Sequence, residues 1–201
     1  MKRLAMPRFA GLLAPWLALL LALLTALPAA AQAWDIDRLM QQLARNKVSR
    51  AAFVEHKYIA MLDSPVKSSG ELLFTAPDRL ERRTLKPREE SVVLQGDTLT
   101  LTRGARQTVL RLSEYPAIGV LTESMRSTLA GDRAALERHY QLTLSGNEAR
   151  WSLTLVPREA RIRGWVLEIR VDGERGELRT VEILQSDKDR SVMRIQKAGA
   201  P

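Results

Sequence analysis

Residues 91–112 read S-V-V-L-Q-G-D-T-L-T-L-T-R-G-A-R-Q-T-V-L-R-L. In Thr98–Thr102 the alternation is strict, so Leu99 and Leu101 share one face of an extended strand and the threonines occupy the other. Gly96-Asp97 and Arg103-Gly104-Ala105 are turn signals, which join Ser91–Gln95, Thr98–Arg103 and Gln107–Leu112 into an antiparallel meander. One face of that meander is apolar and one polar.

Further strands are predicted on both sides of it. Upstream lie Ala52–Leu62, ending at Asp63-Ser64-Pro65, then Gly70–Thr75 and Leu80–Lys86. Downstream lie Gln141–Ser145, Arg150–Val156, Val166–Val171, Leu178–Gln185 and Arg190–Gln196, with turns expected at Gly146-Asn147, at Asp172-Gly173 in a hairpin connection reaching Gly176, and at Ser186-Asp187. Three segments have helical period instead. Ile36, Leu39, Met40 and Leu43 make one apolar face behind the N-cap candidate Asp35, and Ile118, Leu121, Met125 and Leu129 make another after Pro116. A short helix over Asp132–Tyr140 follows Gly131.

A series of about ten or eleven strands with one apolar face must cover that face. Three short helices are too few to sheathe so large a sheet from outside. The sequence therefore predicts a mainly β chain, an antiparallel barrel left incompletely closed with helices at its mouth. Such a container is filled by its own side chains or holds an apolar ligand.

The first 33 residues point to export. Lys2, Arg3 and Arg8 precede an apolar run from Phe9 to Leu27, and Ala31-Gln32-Ala33 supplies a small-x-small cleavage pattern. Residues 1–33 are thus expected to be a cleaved signal peptide, with residues 34–201 forming a single domain in the periplasm. The chain contains 31 Lys and Arg against 23 Asp and Glu, a formal charge of +8 that falls to +5 once the three signal bases are removed. The arginines are dispersed among apolar residues, which reads as the solvated face of sheets rather than a nucleic-acid stripe. With no cysteine, the fold has no disulfide, thiol nucleophile or lipid-modified N-terminal cysteine.

Catalytic signals are poor. His56 and His139 fall in no metal-ligand spacing, and there is neither a G-x-S-x-G elbow nor a phosphate-cradling glycine loop. The expectation is a non-enzymatic protein without metal or cofactor.

In their order, A-A-F-V-E at 51–55, G-E-L-L-F-T-A-P-D-R-L at 70–80 and V-L-Q-G-D-T-L at 93–99 resemble the LolA-type outer-membrane lipoprotein carriers. L-A-G-D-R-A-A-L-E-R-H-Y at 129–140 and V-E-I-L-Q-S-D-K-D-R-S-V-M-R-I at 181–195 are similar to a LolA-related subgroup. The resemblance implies an unclosed barrel with an α-helical lid, whose cavity shields the acyl chains of a lipoprotein or lipid. It also implies an inner-membrane ABC-type or other lipid exporter as donor and an outer-membrane protein as acceptor, with no nucleic acid involved and a monomeric carrier.

Parity and the resemblance together nominate Phe53, Leu72, Phe74, Leu80, Leu94, Leu99 and Leu101 as lipid-binding residues, with Ile118, Leu121, Met125 and Leu129 as lid contacts. Where the family has a lid-contacting arginine this chain has Ala76, so that arginine's hydrogen bonds do not carry over. The departure makes room for a second reading, a carrier of a non-protein acyl product such as an aryl polyene, polyketide-like or glycolipid cargo. A third is a periplasmic sensor or adaptor built on the same fold.

Overall fold

A computed structural model describes residues 34–197; the expected signal peptide lies outside the described residues. Helix α1 (Ile36–Ala44) starts where Asp35 accepts a hydrogen bond from the Arg38 N–H at 2.8 Å, and it buries Leu39, Met40 and Leu43. Six strands then run outward as a meander: β1 (Val48–Tyr58), β2 (Val66–Thr75), β3 (Arg79–Lys86), β4 (Glu90–Gln95), β5 (Thr98–Arg103) and β6 (Arg106–Arg111).

A helical crossing follows, with a 3-10 turn (Leu112–Glu114), α2 (Pro116–Ala130) and α3 (Arg133–His139). Gly131 ends α2 in the left-handed region at φ 70°, and a Cβ there would sit 2.2 Å from the Met40 carbonyl oxygen. Glycine thus allows the α2–α3 corner to approach α1. Strands β7 (Tyr140–Asn147) and β8 (Arg150–Pro157), a one-turn helix α4 (Ala160–Arg163), and strands β9 (Val166–Glu174), β10 (Glu177–Gln185) and β11 (Arg190–Lys197) complete the described residues.

The eleven strands of the described residues form one antiparallel sheet in the order β6-β5-β4-β3-β2-β1-β11-β10-β9-β8-β7. The last strand returns to the first, with Phe53 opposite Ile195 and Glu55 opposite Met193. Strands β6 and β7 are the two edges and do not pair. The sheet is unclosed, and the helical crossing that links its two edges is the expected lid.

Three turns fall elsewhere than expected. Strand β9 runs on through Asp172 and Gly173 to Glu174, because the ring of Trp151 lies on Gly173: a Cβ would be 2.1 Å from Trp151 Cζ2. That glycine is a packing glycine, and the turn is Arg175-Gly176, with Arg175 at φ 53°. Gly146 and Asn147 likewise stay paired, opposite Trp151 and Arg150, while the Asn147 side chain accepts from Ala149 N–H at 2.9 Å and caps the following turn. Strand β1 spans Val48–Tyr58 rather than Ala52–Leu62, because residues 59–62 form a turn closed by a 2.9 Å bond from Leu62 N–H to the Ile59 carbonyl. Gly70 is not a strand start but lies within β2 at a bulge. Helix α4 is not among the elements expected from the sequence pattern.

The continuous apolar core lies on one side of the sheet. Leu153, Leu155, Ile169 and Val171 of β8 and β9 are fully buried, in one cluster with Leu39 and Leu43 of α1, Leu136 of α3 and Tyr140. No residue of β2 to β6 joins it.

Candidate functional site

Strands β2 to β5 turn their inward residues to a cavity of about 450 Å³, within the range of small-molecule sites. Its wall is a cross-strand row set by register. Phe74 of β2 faces Leu80 of β3, Leu80 faces Leu94 of β4, and Leu94 faces Leu99 of β5. Leu72 lies on the same wall, and Val181, Ile183, Met193 and Ile195 of β10 and β11 form the facing part. Above them, α2 contributes Leu121, Met125 and Leu129.

Eight of the eleven nominated residues therefore meet around one space: Leu72, Phe74, Leu80, Leu94, Leu99, Leu121, Met125 and Leu129. Three are placed elsewhere. Phe53 is buried at 1 % exposure, but the Arg82 guanidinium lies over its ring at 4.6 Å and separates it from the cavity. Leu101 has the expected parity but sits further along β5, opposite Val92 and Thr108 and beyond the cavity wall. Ile118 is in the first turn of α2 and exposed.

The lid is tied to both sides of the sheet. On the filled side, Tyr140 Oη donates to the Val120 carbonyl at 3.1 Å. On the hollow side, Arg126 Nη1 donates to the Gly96 carbonyl in the β4–β5 turn at 3.0 Å, and Arg126 is itself held by Glu123. The same turn holds the start of the crossing, where Asp97 accepts from Ser113 N–H at 3.0 Å and from Ser113 Oγ at 2.8 Å. Ala76 is half-buried, and its N–H donates to the Lys47 carbonyl at 2.8 Å.

Polar residues interrupt the wall at several places, Arg50, Glu177, Arg179 and Lys197 among them, and one group is fixed by its own hydrogen bonds. Glu55 of β1, with 16 % of its side chain exposed, accepts from Arg82 Nη2 at 2.5 Å, from Ser68 Oγ at 3.2 Å and from Ser191 Oγ. Burial raises the affinity of this carboxyl for protons. The Ser191 hydrogen bond, the charge and hydrogen bond of Arg82 and the Ser68 hydrogen bond together outweigh it, so the pKa lies below the ordinary carboxylate value. Glu55 is ionised at neutral pH, and with Arg82 it forms an ion pair beside the apolar row of Leu72, Leu80, Leu94 and Leu99.

This pair, like Met193, Ile195, Val181 and Ile183, is not among the residues nominated from the sequence. Parity contained the signal: Glu55 shares a face with Phe53, and Arg82 shares one with Leu80. The two histidines lie apart from the cavity wall, His139 making a surface contact of 3.2 Å with Glu159.

A helical lid spanning the edges of one unclosed antiparallel sheet, over an apolar hollow, is an architecture with known relatives. The model of the family described as "Outer membrane lipoprotein carrier protein LolA-like" matches residues 28–200. The chain belongs to this LolA-like family. Among solved structures, this LolA-like chain is similar to a LolA superfamily protein from Nitrosomonas europaea, at 9 % identity and a TM-score of 0.42 over 84 % of this chain and 96 % of that one. It is also similar to a putative outer membrane lipoprotein-sorting protein domain from Vibrio parahaemolyticus, at 11 % identity and a TM-score of 0.43 over 83 % and 92 %. The MucA/MucB complex of Pseudomonas aeruginosa matches at 16 % identity and a TM-score of 0.46, over 83 % of this chain and 58 % of that one. No curated protein matches the sequence.

Proposed function

We propose that this LolA-like protein is a non-enzymatic periplasmic carrier that takes acyl chains of a lipoprotein or lipid into its cavity and delivers them toward the outer membrane. The observation that carries the reading is the lidded hollow of about 450 Å³, walled by Leu72, Phe74, Leu80, Leu94 and Leu99, in a chain of this family. Each methylene moved from water into such a wall contributes roughly 0.8 kcal/mol, so a short stretch of acyl chain already favours the carrier over water by several kcal/mol.

Export through cleavage after Ala33 puts the mature chain in the compartment where such cargo travels. An inner-membrane exporter of the ABC type or another class supplies the cargo, and an outer-membrane acceptor receives it. Release requires a state with lower affinity, and the lid is the element whose opening provides it.

The test is native mass spectrometry of the protein purified gently from its own periplasm, followed by lipid extraction. A co-purified lipoprotein or lipid is the expected result. A protein that emerges empty and also fails to take up a fluorescent fatty-acyl probe would contradict the reading.

A further inference from the structure

The Arg82 guanidinium is held from three sides and open on a fourth. Its Nη2 donates to Glu55 Oε2 at 2.5 Å and to Ser68 Oγ at 3.3 Å, and its plane lies over the Phe53 ring at 4.6 Å. To make these contacts the side chain crosses β2 at Gly70, which pairs with Phe53 on one side and Thr84 on the other and presents no side chain of its own. Guanidinium carries five N–H donors in a fixed fork. Its Nη1 and Nε groups donate to no acceptor among the described residues, although the side chain is only 32 % exposed and lines the cavity.

An oriented cation with free donors, set beside Leu72 and Val92 in an apolar wall, is built for a ligand with an acceptor at that depth. The charge balance narrows the class. Glu55 is ionised and already matches Arg82, so this pair carries no net charge, while Arg50, Arg179, Lys197 and Glu177 line the cavity elsewhere. An anionic group brought to the free donors would also be brought to the Glu55 carboxylate. A neutral acceptor gains the charge-assisted hydrogen bond without that repulsion.

Resting on the carrier reading and adding ligand chemistry to it, we propose that Arg82 is a specificity residue, which donates to the ester or amide carbonyl of an acylated cargo while the hydrocarbon lies along Leu80, Leu94 and Leu99. Glu55, Ser68 and Ser191 are positioning residues: they fix the guanidinium and balance its charge. The cavity then selects acyl esters and amides over plain hydrocarbons and over free fatty-acid anions.

The experiment is displacement of the neutral apolar dye N-phenyl-1-naphthylamine by decane, methyl decanoate and decanoate, using the wild-type protein, Arg82→Leu, and Arg82→Leu combined with Glu55→Gln. The double variant keeps the test valid if the single one misfolds around an orphaned carboxylate. In the wild type, methyl decanoate is expected to bind more tightly than decanoate. In the folded variants its affinity falls about tenfold while that of decane stays the same or rises. An equal loss for ester and hydrocarbon, no loss for either, or tighter wild-type binding of decanoate than of its ester would overturn the assignment. Absence of dye uptake by the wild-type protein would overturn the carrier reading itself, and the inference with it.

Discussion

The two halves of the sheet have the same strand pattern and opposite interiors. Under α1, the inward residues of β8 and β9 are filled to the last ångström: Leu153, Leu155, Ile169 and Val171 are 0 % exposed. On β2 to β5 the inward residues Leu72, Leu80 and Leu99 remain half-buried around a hollow. The difference comes from what is laid on each half. Helix α1 is fastened over the first by Arg38 and Gln42, which donate to Glu148 in the β7–β8 turn at 3.1 and 2.5 Å, and by Asn46, which donates to the Gly176 carbonyl at 2.7 Å. Over the second lies chiefly the side of α2 carrying Leu121, Met125 and Leu129. One half therefore supplies stability, and the other keeps apolar surface available for a ligand.

Substitutions that shorten side chains should separate the halves most clearly. Leu153→Ala is expected to destabilise the protein by about 3 kcal/mol, because a dry and crowded site leaves a cavity when a side chain is cut. Leu80→Ala, which only enlarges an existing hollow, should cost less than about 1 kcal/mol in the same denaturant titration. Similar losses at the two positions would erase the distinction.

A charge should separate them in function. Leu99→Glu places a carboxylate in the cavity wall and is expected to reduce uptake of a fluorescent acyl probe at least tenfold. Val109→Glu, at an exposed outward position on the neighbouring strand, should leave uptake within about twofold. Equal effects would mean that the cavity is not where the probe binds.

The lid allows a finer comparison, since its two ties belong to different halves. Arg126→Ala removes the bond to Gly96 on the hollow side and should speed release of a bound probe severalfold, at a stability cost under about 1 kcal/mol. Tyr140→Phe removes the bond to Val120 on the filled side and should lower stability with little change in release rate. Stopped-flow probe release combined with thermal melts distinguishes these outcomes.

The smallest effect concerns pH. The folded-state pKa of Glu55 is depressed, so its contribution to stability is fully present above the ordinary carboxylate value and is lost as pH falls through the folded-state pKa. The wild-type protein should lose stability across that acidic window more steeply than Glu55→Gln. Parallel pH profiles for the two would show that the ion pair makes no net contribution.

Much of this arrangement was legible in the residues. The strict alternation around Leu99, the helical period of Ile36 to Leu43 and the turn signals between strands fixed the element order, and parity pointed to the row on β2 to β5 that lines the cavity. Two kinds of information were hidden. Glycine is ambiguous: at 173 it reads as a turn residue, and only the ring of Trp151 packed against it shows why it belongs in a strand. Arginine in an alternating strand is also ambiguous, since R-L-E-R-R-T-L-K at 79–86 looks like a solvated edge. Arg82 lies inside because it has Glu55 to pair with and Phe53 to cover, partners that are 27 and 29 positions away in the chain. Nor can alternation reveal which half is filled, because that depends on the helix set above it.

The most direct test of the hollow half is photo-crosslinking with an acyl chain that carries a diazirine near its methyl end, followed by peptide mapping. The account predicts labels on Leu72, Leu80, Leu94 or Leu99 of the wall and on Met125 or Leu129 of the lid. Labels confined to exposed residues such as Met61 and Trp165, or spread without preference over both halves, would contradict it.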